Sequence, residues 1–483
     1  MKNNIIQPYD IVIFGAKGDL SCKKLIPALY ELEQKKLLHD KTRIIGVGRA
    51  EWNHSDYINK TCSLLKNLYL QKINLKSLNI LKKRLLFCNL DVTNIQNFSQ
   101  LRKILSQTLS IKIYYFAVPP NTFNSICSGL GKIKFNHHPN RIIVEKPIGT
   151  SLSSCKNIHH KLGIYFQEKQ IFRIDHYLGK ETILNLLILR FANPLFYHIW
   201  SYKYIKCVKI TVEEKVGIEG RWEYFDNIGQ TRDMIQNHLL QILSLLTMSI
   251  PKELKSKYIR KEKIKILKSL RSINSENIHI DTIRGQYTSG IVDDKNVPGY
   301  LEELGSKKSS NTETFVSIKT YIDHPIWKNV PFYLKTGKRL SEKKSEIIIY
   351  LNHIPNSIFN INKINMCNIL KIKLQPNEGL EIQFLNKTPD INNKYQFQPT
   401  HLKFNYTDIF QKNITDAYER LLLEVMKNDQ SLFVSREEIE ASWTWIDSII
   451  NLWNKHKIHP TLYPSGTCGP KLYKNQDKNY HTK

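Results

Sequence analysis

In the first third of the chain, apolar residues fall in short unbroken runs separated by stretches of helical spacing. Residues 10–14 (DIVIF) form one such run, stopping at Gly15, after which Leu25, Leu29 and Leu32 recur three and four apart. That pattern predicts a strand, a glycine turn and a helix. Further strands are predicted at 43–47, 84–88, 111–117, 141–144 and 170–174, most of them separated by helix-length segments. Strands alternating with helices imply a parallel sheet with crossover helices. Beyond about Asp175 the pattern changes. A long helix at 180–191 leads to alternating segments at 201–212, 314–321 and 346–351, and to a hairpin at 369–385 turning at Asn377-Glu378-Gly379. Period-two alternation of this kind predicts a large, mainly antiparallel sheet with helices packed on it. The fold class is therefore α/β in the first part and α+β in the second, with a polar tail from Gly469 expected to fray.

Composition narrows the function. At 483 residues and 41% hydrophobic content, the chain can fill two or three cores at roughly 100–200 residues per domain, and the pattern favours two. The amino terminus, MKNNIIQPYD, lacks an apolar stretch after its lysine, and no apolar run approaches the ~20 residues of a membrane span. A cytoplasmic, unprocessed chain with no membrane partner is expected. The cysteines (Cys22, Cys62, Cys88, Cys127, Cys155, Cys207, Cys367 and Cys468) are scattered, with no C-x-x-C pair and no nearby histidine at ligand spacing. They read as free thiols of a reducing compartment, and no metal site is expected.

The net charge of +28 raises the question of a nucleic-acid partner, which would need clustered cations. Here the basic residues are spread along the chain. The densest region, 252–271, carries Ile259, Ile264, Leu267 and Leu270 at near-helical spacing, so its lysines read as the wet face of an amphipathic helix. No nucleic-acid partner is expected. A basic surface still favours encounter with polyanionic small molecules.

Gly15-Ala16-Lys17-Gly18-Asp19-Leu20 follows the first strand and opens a helix, where a tight turn can present backbone N–H groups to a pyrophosphate. The second strand ends Gly46-Val-Gly48-Arg49, where an NAD enzyme commonly places an acidic residue on the ribose hydroxyls. A cation there suits the 2′-phosphate of NADP, and Lys17 adds a second. The turns Ala117-Val-Pro-Pro120 and Glu145-Lys146-Pro147 follow later strands and should border the nicotinamide, with Pro147 restricting the backbone that aims Lys146.

Arg173-Ile-Asp175-His176-Tyr177-Leu-Gly-Lys180-Glu181 sets an acid, an imidazole, a phenol and an amine within one turn where a strand yields to a helix. Charge-assisted bonds from Lys180, His176 and Tyr177 could hold a phosphate dianion there. Asp233-Met-Ile-Gln-Asn237-His238-Leu-Leu-Gln241 opens an apolar helix. A lone histidine on such a face is ordinarily a satisfied core residue. Asn237 and Gln241, with the acid-rich loop from Glu213-Glu214 to Arg221, instead suggest a polar pocket.

The strings G-A-x-G-D-L, E-K-P-I-G, R-I-D-H-Y-L-G-K-E, G-I-E-G-R, R-D-M-I-Q-N-H-L-L-Q, R-G-Q-Y-T-S-G, V-P-G-Y-L-E-E and V-P-F-Y-L-K-T-G-K-R-L resemble the glucose-6-phosphate dehydrogenase family in order and spacing, from Asp10 to about Pro470. The resemblance implies a Rossmann-like NADP domain over 1–177 and an α+β substrate and oligomerisation domain over 178–483. It implies oxidation of glucose 6-phosphate to the 6-phosphogluconolactone, the first oxidative step of the pentose phosphate pathway, by a homodimer or dimer of dimers. Matched position by position, His238 resembles the general base and Asp175 its orienting carboxylate. His176, Tyr177 and Lys180 resemble the phosphate grip, and Glu214 and Asp233 the acceptors for sugar hydroxyls. Lys24, Lys338 and Lys343 resemble further substrate contacts, and Lys146 is shared with the cofactor. Gly15, Ala16, Lys17, Gly18, Asp19, Leu20, Arg49, Asp91, Val92 and Pro147 resemble the remaining cofactor contacts. The chain departs from the family pattern at Lys17, usually a small hydroxyl residue, at Cys22, usually basic, and at Lys343, arginine in some relatives. A rival reading gives the proton to Lys146 of the E-K-P turn, as in other sugar-oxidising Rossmann enzymes.

Overall fold

The computed structural model describes residues 7–470 except 304, 307–308, 355–357, 360–366, 390, 392–395, 411–414 and the side chain of 71. Of the tail expected to fray, 471–483 lie outside the described residues, whereas Gly469 and Pro470 approach Phe315 and Gly285 closely. The chain divides into two compact units. One holds the described residues up to 180 with 251–260 and 415–440, and the other holds 181–250, 261–410 and 441–470.

The first unit is built on strands β1 (Tyr9–Phe14), β2 (Arg43–Gly48), β3 (Leu85–Asn89), β4 (Ile111–Phe116), β5 (Arg141–Val144) and β6 (Ile171–Ile174), close to the predicted positions. They pair parallel in the order 3-2-1-4-5-6, and the short strand Phe433–Val434 adds antiparallel to β6. Every residue of β1, β5 and β6 is buried, as expected of a parallel sheet covered on both faces. The order reverses between β1 and β4. In such sheets a ligand lies outside the carboxyl ends at that reversal. Because the strands run in one direction, the turns singled out in the sequence, beginning at Gly15, Arg49, Asp91, Ala117, Glu145 and Asp175, all leave the same edge. The core against β1 and β4 draws Leu25, Leu29, Tyr30 and Leu32 from the first crossover and Leu421, Leu422 and Val425 from the helix Ala417–Lys427. That helix, far along the sequence, is part of this unit.

In the second unit the helix Glu181–Ala192 precedes a sheet of nine strands among the described residues. Its members are β7 (Ile205–Glu213), β8 (Thr282–Thr288), β11 (Phe315–Thr320), β12 (Phe332–Gly337), β13 (Lys344–Leu351), β14 (Ile369–Gln375), β15 (Gly379–Lys387), β16 (Phe397–Asn405) and Thr461–Pro464; a separate hairpin joins β9 (Gly290–Val292) to β10 (Lys295–Val297). The order is 16-15-14-13-7-12-11-8 followed by Thr461–Pro464, antiparallel except for the β12–β7 pair and the last pair. The predicted hairpin is β14–β15, with Asn377 at φ 57° in its turn. Periodicity did not reveal β8, whose polar Gln286 is buried because its amide donates to the carbonyls of Ser310 and Thr312. Nor did it reveal β16, an edge strand with little burial on either face.

The amphipathic helix expected in the basic stretch is Ser256–Lys268. Ile259, Leu267 and Leu270 are buried as expected, but Lys263, one turn from Ile259 and Leu267, is buried with them and is not on the wet face. No described helix is long and apolar enough to cross a membrane.

Candidate active site

The nucleotide end of the first unit is shaped by backbone constraints. Gly15 sits at φ 90°, and a Cβ there would stand 2.3 Å from the carbonyl oxygen of Ala117, so no other residue fits. Its N–H and that of Ala16 donate to Val47 O at 3.0 and 3.1 Å, and Gly18 N donates to Gly15 O at 2.9 Å, closing the turn. Ala16 is buried, whereas Lys17, Gly18 and Asp19 are exposed. Ser21–Leu25 then runs as one π-helical turn before the α-helix Ile26–Gln34. Asp19 pairs with Lys23 at 2.8 Å, and Lys17 is the cation within the turn itself. Its Nζ lies 5.9 Å from the ring centre of Trp52. Arg49 is exposed at the end of β2. Asp91, at the end of β3 beside Val92, accepts from the amide and hydroxyl of Thr93 at 2.9 and 2.8 Å. Those bonds, with the charge of Arg49, hold its carboxyl below the usual range. A glycine cradle at the sheet reversal, flanked by two exposed cations, fits a phosphorylated dinucleotide.

Sequence reasoning did not find the aromatic wall beside these cations. Trp52 stacks on Tyr57 at 6.3 Å, and both contact Phe87. Nothing in the spacing of these residues marks them. Tyr57 lies so close to Gly46 that a Cβ there would meet its ring at 2.6 Å.

At the ends of β5 and β6 the geometry is equally definite. Glu145 accepts from Tyr115 Oη at 2.6 Å and from the phenol of Tyr418, and burial pushes its carboxyl above the usual range. Lys146 and Pro147 follow, joined by a cis bond. Asp175 is buried and caps the one-turn 3₁₀ segment His176–Gly179, accepting from Tyr177 N at 2.9 Å. The half-buried His176 ring lies nearly parallel to Tyr418 at 6.4 Å. Lys180 Nζ sits 4.6 Å from the Tyr177 ring centre, within cation–π range. Gly179 lets the helix Ala417–Lys427 approach, since a Cβ would stand 2.9 Å from Ala417 O. Lys24, from the π turn, pairs with Asp416 at 3.2 Å. The D-x-x-E capping pattern of Asp416 and Glu419 marks that helix start in the sequence, but nothing local shows that Tyr418 joins the E-K-P turn to the histidine.

In the second unit the acid-rich loop leaves the end of β7. Glu213 is buried and pairs with Lys335 and Lys344 at 2.8 and 3.4 Å, so it belongs to the sheet. Glu214 accepts from Lys338 Nζ at 2.7 Å. Lys338 is 4% exposed, and its carbonyl accepts from Tyr463 Oη at 2.7 Å. Lys343 is exposed beyond it.

Asp233 and His238 lie on a nine-residue π-helical segment, Thr231–Leu239, which continues as the α-helix Leu240–Thr247. π-helical hydrogen bonds run from i to i+5, so residues five apart come round to nearly the same face. In an α-helix of about 3.6 residues per turn they would diverge. Within the wide turn the two positions lie closer to one face than an α-helix would place them; Asp233 is half-buried and His238 is 1% exposed. The Asn237 amide donates to Arg232 O and Asp233 O of its own helix at 3.0 and 3.4 Å. Gln241 is buried one turn further on.

A doubly wound sheet with a cationic glycine cradle at its reversal, carried on one chain with a large mixed sheet, defines a dinucleotide-linked oxidoreductase. The profile "Glucose-6-phosphate dehydrogenase, NAD binding domain" matches residues 12–185, and "Glucose-6-phosphate dehydrogenase, C-terminal domain" matches 187–481. The chain is 53% identical over 467 residues to a glucose-6-phosphate 1-dehydrogenase of Buchnera aphidicola subsp. Schizaphis graminum, covering 96% of this chain and 95% of that one. It is 51% identical over 466 residues to the Dickeya dadantii protein of the same name, with the same coverage. Among solved structures it resembles a glucose-6-phosphate dehydrogenase in complex with its substrate glucose-6-phosphate, with TM-score 0.89 and 32% identity over the whole of both chains. It also resembles the Mycobacterium avium glucose-6-phosphate 1-dehydrogenase, with TM-score 0.82 and 30% identity over 96% of both. The chain belongs to the glucose-6-phosphate dehydrogenase family.

Proposed function

We propose that this chain oxidises D-glucose 6-phosphate to 6-phospho-D-glucono-1,5-lactone with His238 as the general base. NADP, when bound, supplies the hydride acceptor, so that the reaction yields NADPH at the first oxidative step of the pentose phosphate pathway. The proton of the C1 hydroxyl passes to an imidazole nitrogen of His238. Imidazole suits this task because it ordinarily titrates near neutrality, and base catalysis of this kind contributes roughly 10²–10⁴ in rate. Asp175 orients that ring and stabilises the imidazolium, as a buried carboxylate does in a nucleophile–histidine–carboxylate triad.

His176, Tyr177 and Lys180 grip the phosphate, with Lys24 and Lys343 as outer cations. Glu214 and Asp233 accept from sugar hydroxyls, and Lys338 holds Glu214 in place until the sugar arrives. Gly15, Ala16, Gly18, Asp19 and Leu20 form the dinucleotide turn; Lys17 and Arg49 favour the 2′-phosphate; Asp91, Val92, Lys146 and Pro147 complete the cofactor contacts. Residues 1–177 form the NADP-binding domain, which also supplies Lys24, Asp175, His176 and Tyr177 to the sugar phosphate, and 178–483 form the substrate and self-association domain of a homodimer or dimer of dimers in the cytoplasm.

The observation that carries this reading is the π-helical setting of His238, a buried imidazole five residues from the half-buried Asp233 on one continuous segment. A purely packing histidine would have no use for that acid. An assay of the purified chain with NADP, offering glucose 6-phosphate or free glucose, tests it. Strong preference for the phosphorylated sugar is expected, and equal use of free glucose would discard the phosphate grip. Light scattering at twice or four times the chain mass is expected, and a monomer would contradict the assembly.

A further inference from the structure

The helix Trp222–Gln230 is broken at its last residue but one, Gly229, where the backbone takes φ 72° and ψ 168°, just before the π-helical segment begins at Thr231. A break of this kind exposes N–H groups at the start of the new segment, which need partners from elsewhere in the fold. Both first donors go to one residue. Gln230 N donates to Glu313 O at 2.9 Å, and Thr231 N donates to Glu313 Oε1 at 3.1 Å. The Thr231 hydroxyl donates to the same carboxylate oxygen at 2.5 Å. Glu313 is 4% exposed, and its second oxygen accepts from Arg284 Nη2 at 3.0 Å.

Arg284 is itself fixed. It donates to Ile458 O at 2.6 Å and to Asn311 O at 2.8 Å, and its guanidinium lies 4.8 Å from the ring centre of Trp453. Gly229 is the residue this arrangement allows, since a Cβ there would stand 2.8 Å from Glu313 Oε1. The next residue extends the bracket to the neighbouring strand end, because Lys338 N donates to Thr314 O at 2.9 Å. A carboxylate at a helix start also complements the helix dipole, but a surface cap would serve for that alone. Here the carboxylate is buried, clamped by an arginine and bonded twice to one threonine.

We propose that Glu313 is a positioning residue for the reaction: held by Arg284, it fixes through Thr231 the start, and so the rotational setting, of the π-helical segment that carries Asp233 and His238. Side chains on a helix move together when its first turn rotates, so a small error at Thr231 reaches the imidazole. Displacements on the scale of an ångström can cost about 10²-fold in rate. The proposal rests on His238 being the base.

The test compares full-length Glu313→Gln, Thr231→Val, Thr231→Ser and His238→Asn. Thr231→Val is the milder change and keeps the Glu313–Arg284 pair, so it informs even where Glu313→Gln folds poorly. For Glu313→Gln and Thr231→Val, kcat is expected to fall about 10–100-fold, with the KM for NADP within about twofold of wild type. The acidic limb of the kcat pH profile is expected to shift, and calorimetric binding of glucose 6-phosphate alone to persist. Thr231→Ser, which keeps the hydroxyl, should restore most of kcat. Thermal melting that drops while kcat per folded molecule and the pH limb stay at wild-type values would overturn the proposal and leave Glu313 a structural residue. If His238→Asn itself keeps wild-type turnover, the proposal falls as well, and the fault then lies with the base assignment and not with the bracket.

Discussion

Lys180 stands over the ring of Tyr177 at the end of a single turn capped by Asp175, so its charge is aimed by an aromatic face and not left to wander. Truncating it removes one charge-assisted bond from the proposed phosphate site and leaves the proton and hydride transfer at C1 untouched. Lys180→Ala should therefore raise the KM for glucose 6-phosphate by roughly 10–100-fold, the weight of about 1.5–3 kcal/mol for a hydrogen bond to a charged group, with kcat changed far less. Steady-state kinetics would show this, and a fall in kcat at constant KM would reassign the lysine to the chemistry. Individual residues of this sort were legible in the sequence wherever they sat in a dense string. Asp175, His176, Tyr177 and Lys180 are local to one turn, and their joint presence has little other use. Tyr115 and Tyr418, which grip Glu145, were not legible, because each is an ordinary aromatic in its own segment and only the fold brings them together.

At the scale of elements, the strands of the parallel sheet were readable because each is a continuous apolar run bounded by a turn, and the carboxyl-end turns followed from that. The antiparallel sheet was only half readable. Edge strand β16 buries too little to alternate, and β8 hides polar residues by satisfying them internally. The π-helical segments are invisible to a 3.6-residue periodicity, and yet the two among the described residues fall on strings that the sequence singled out, at Ser21–Leu25 behind the glycine turn and at Thr231–Leu239 under His238. The glycine turn itself offers a sharp test. Gly15→Ala would drive a methyl against Ala117 O at 2.3 Å while holding φ at 90°. The strained φ alone costs about 1–3 kcal/mol, so loss of stability in chemical denaturation and a raised KM for NADP are expected together. Unchanged NADP affinity would separate the turn from the cofactor.

For the molecule as a whole, a buried histidine sets an acid limit on stability. His159 has no side-chain exposure and donates from Nδ1 to Glu440 at 3.0 Å. Burial, aided by the charge of Arg173, pushes its pKa down to about 4 against the pull of Glu440. The unfolded chain, with an ordinary histidine near 6.5, binds the extra proton first as pH falls. The stability from neutral, buried His159 is thus whole above about pH 6.5 and lost progressively toward pH 4, on the order of 3 kcal/mol across the window. Melts at pH 7 and pH 4.5 should show a smaller loss for His159→Gln than for the wild type; equal losses would place the acid sensitivity elsewhere. The net charge of +28 acts on the same scale. It should draw the anionic sugar and dinucleotide toward the enzyme, so kcat/KM is expected to decline as added salt shortens the Debye length to about 8 Å, and a flat salt profile would show that steering contributes nothing.

The most direct measurement is single-turnover kinetics of His238→Asn with saturating glucose 6-phosphate and NADP, alongside calorimetric affinity for the sugar phosphate. Reduction of the nicotinamide slowed by about 10²–10⁴ with sugar affinity intact is the predicted result. A variant that turns over at the wild-type rate, or one whose only defect is weakened binding, would contradict the assignment of the proton to this imidazole.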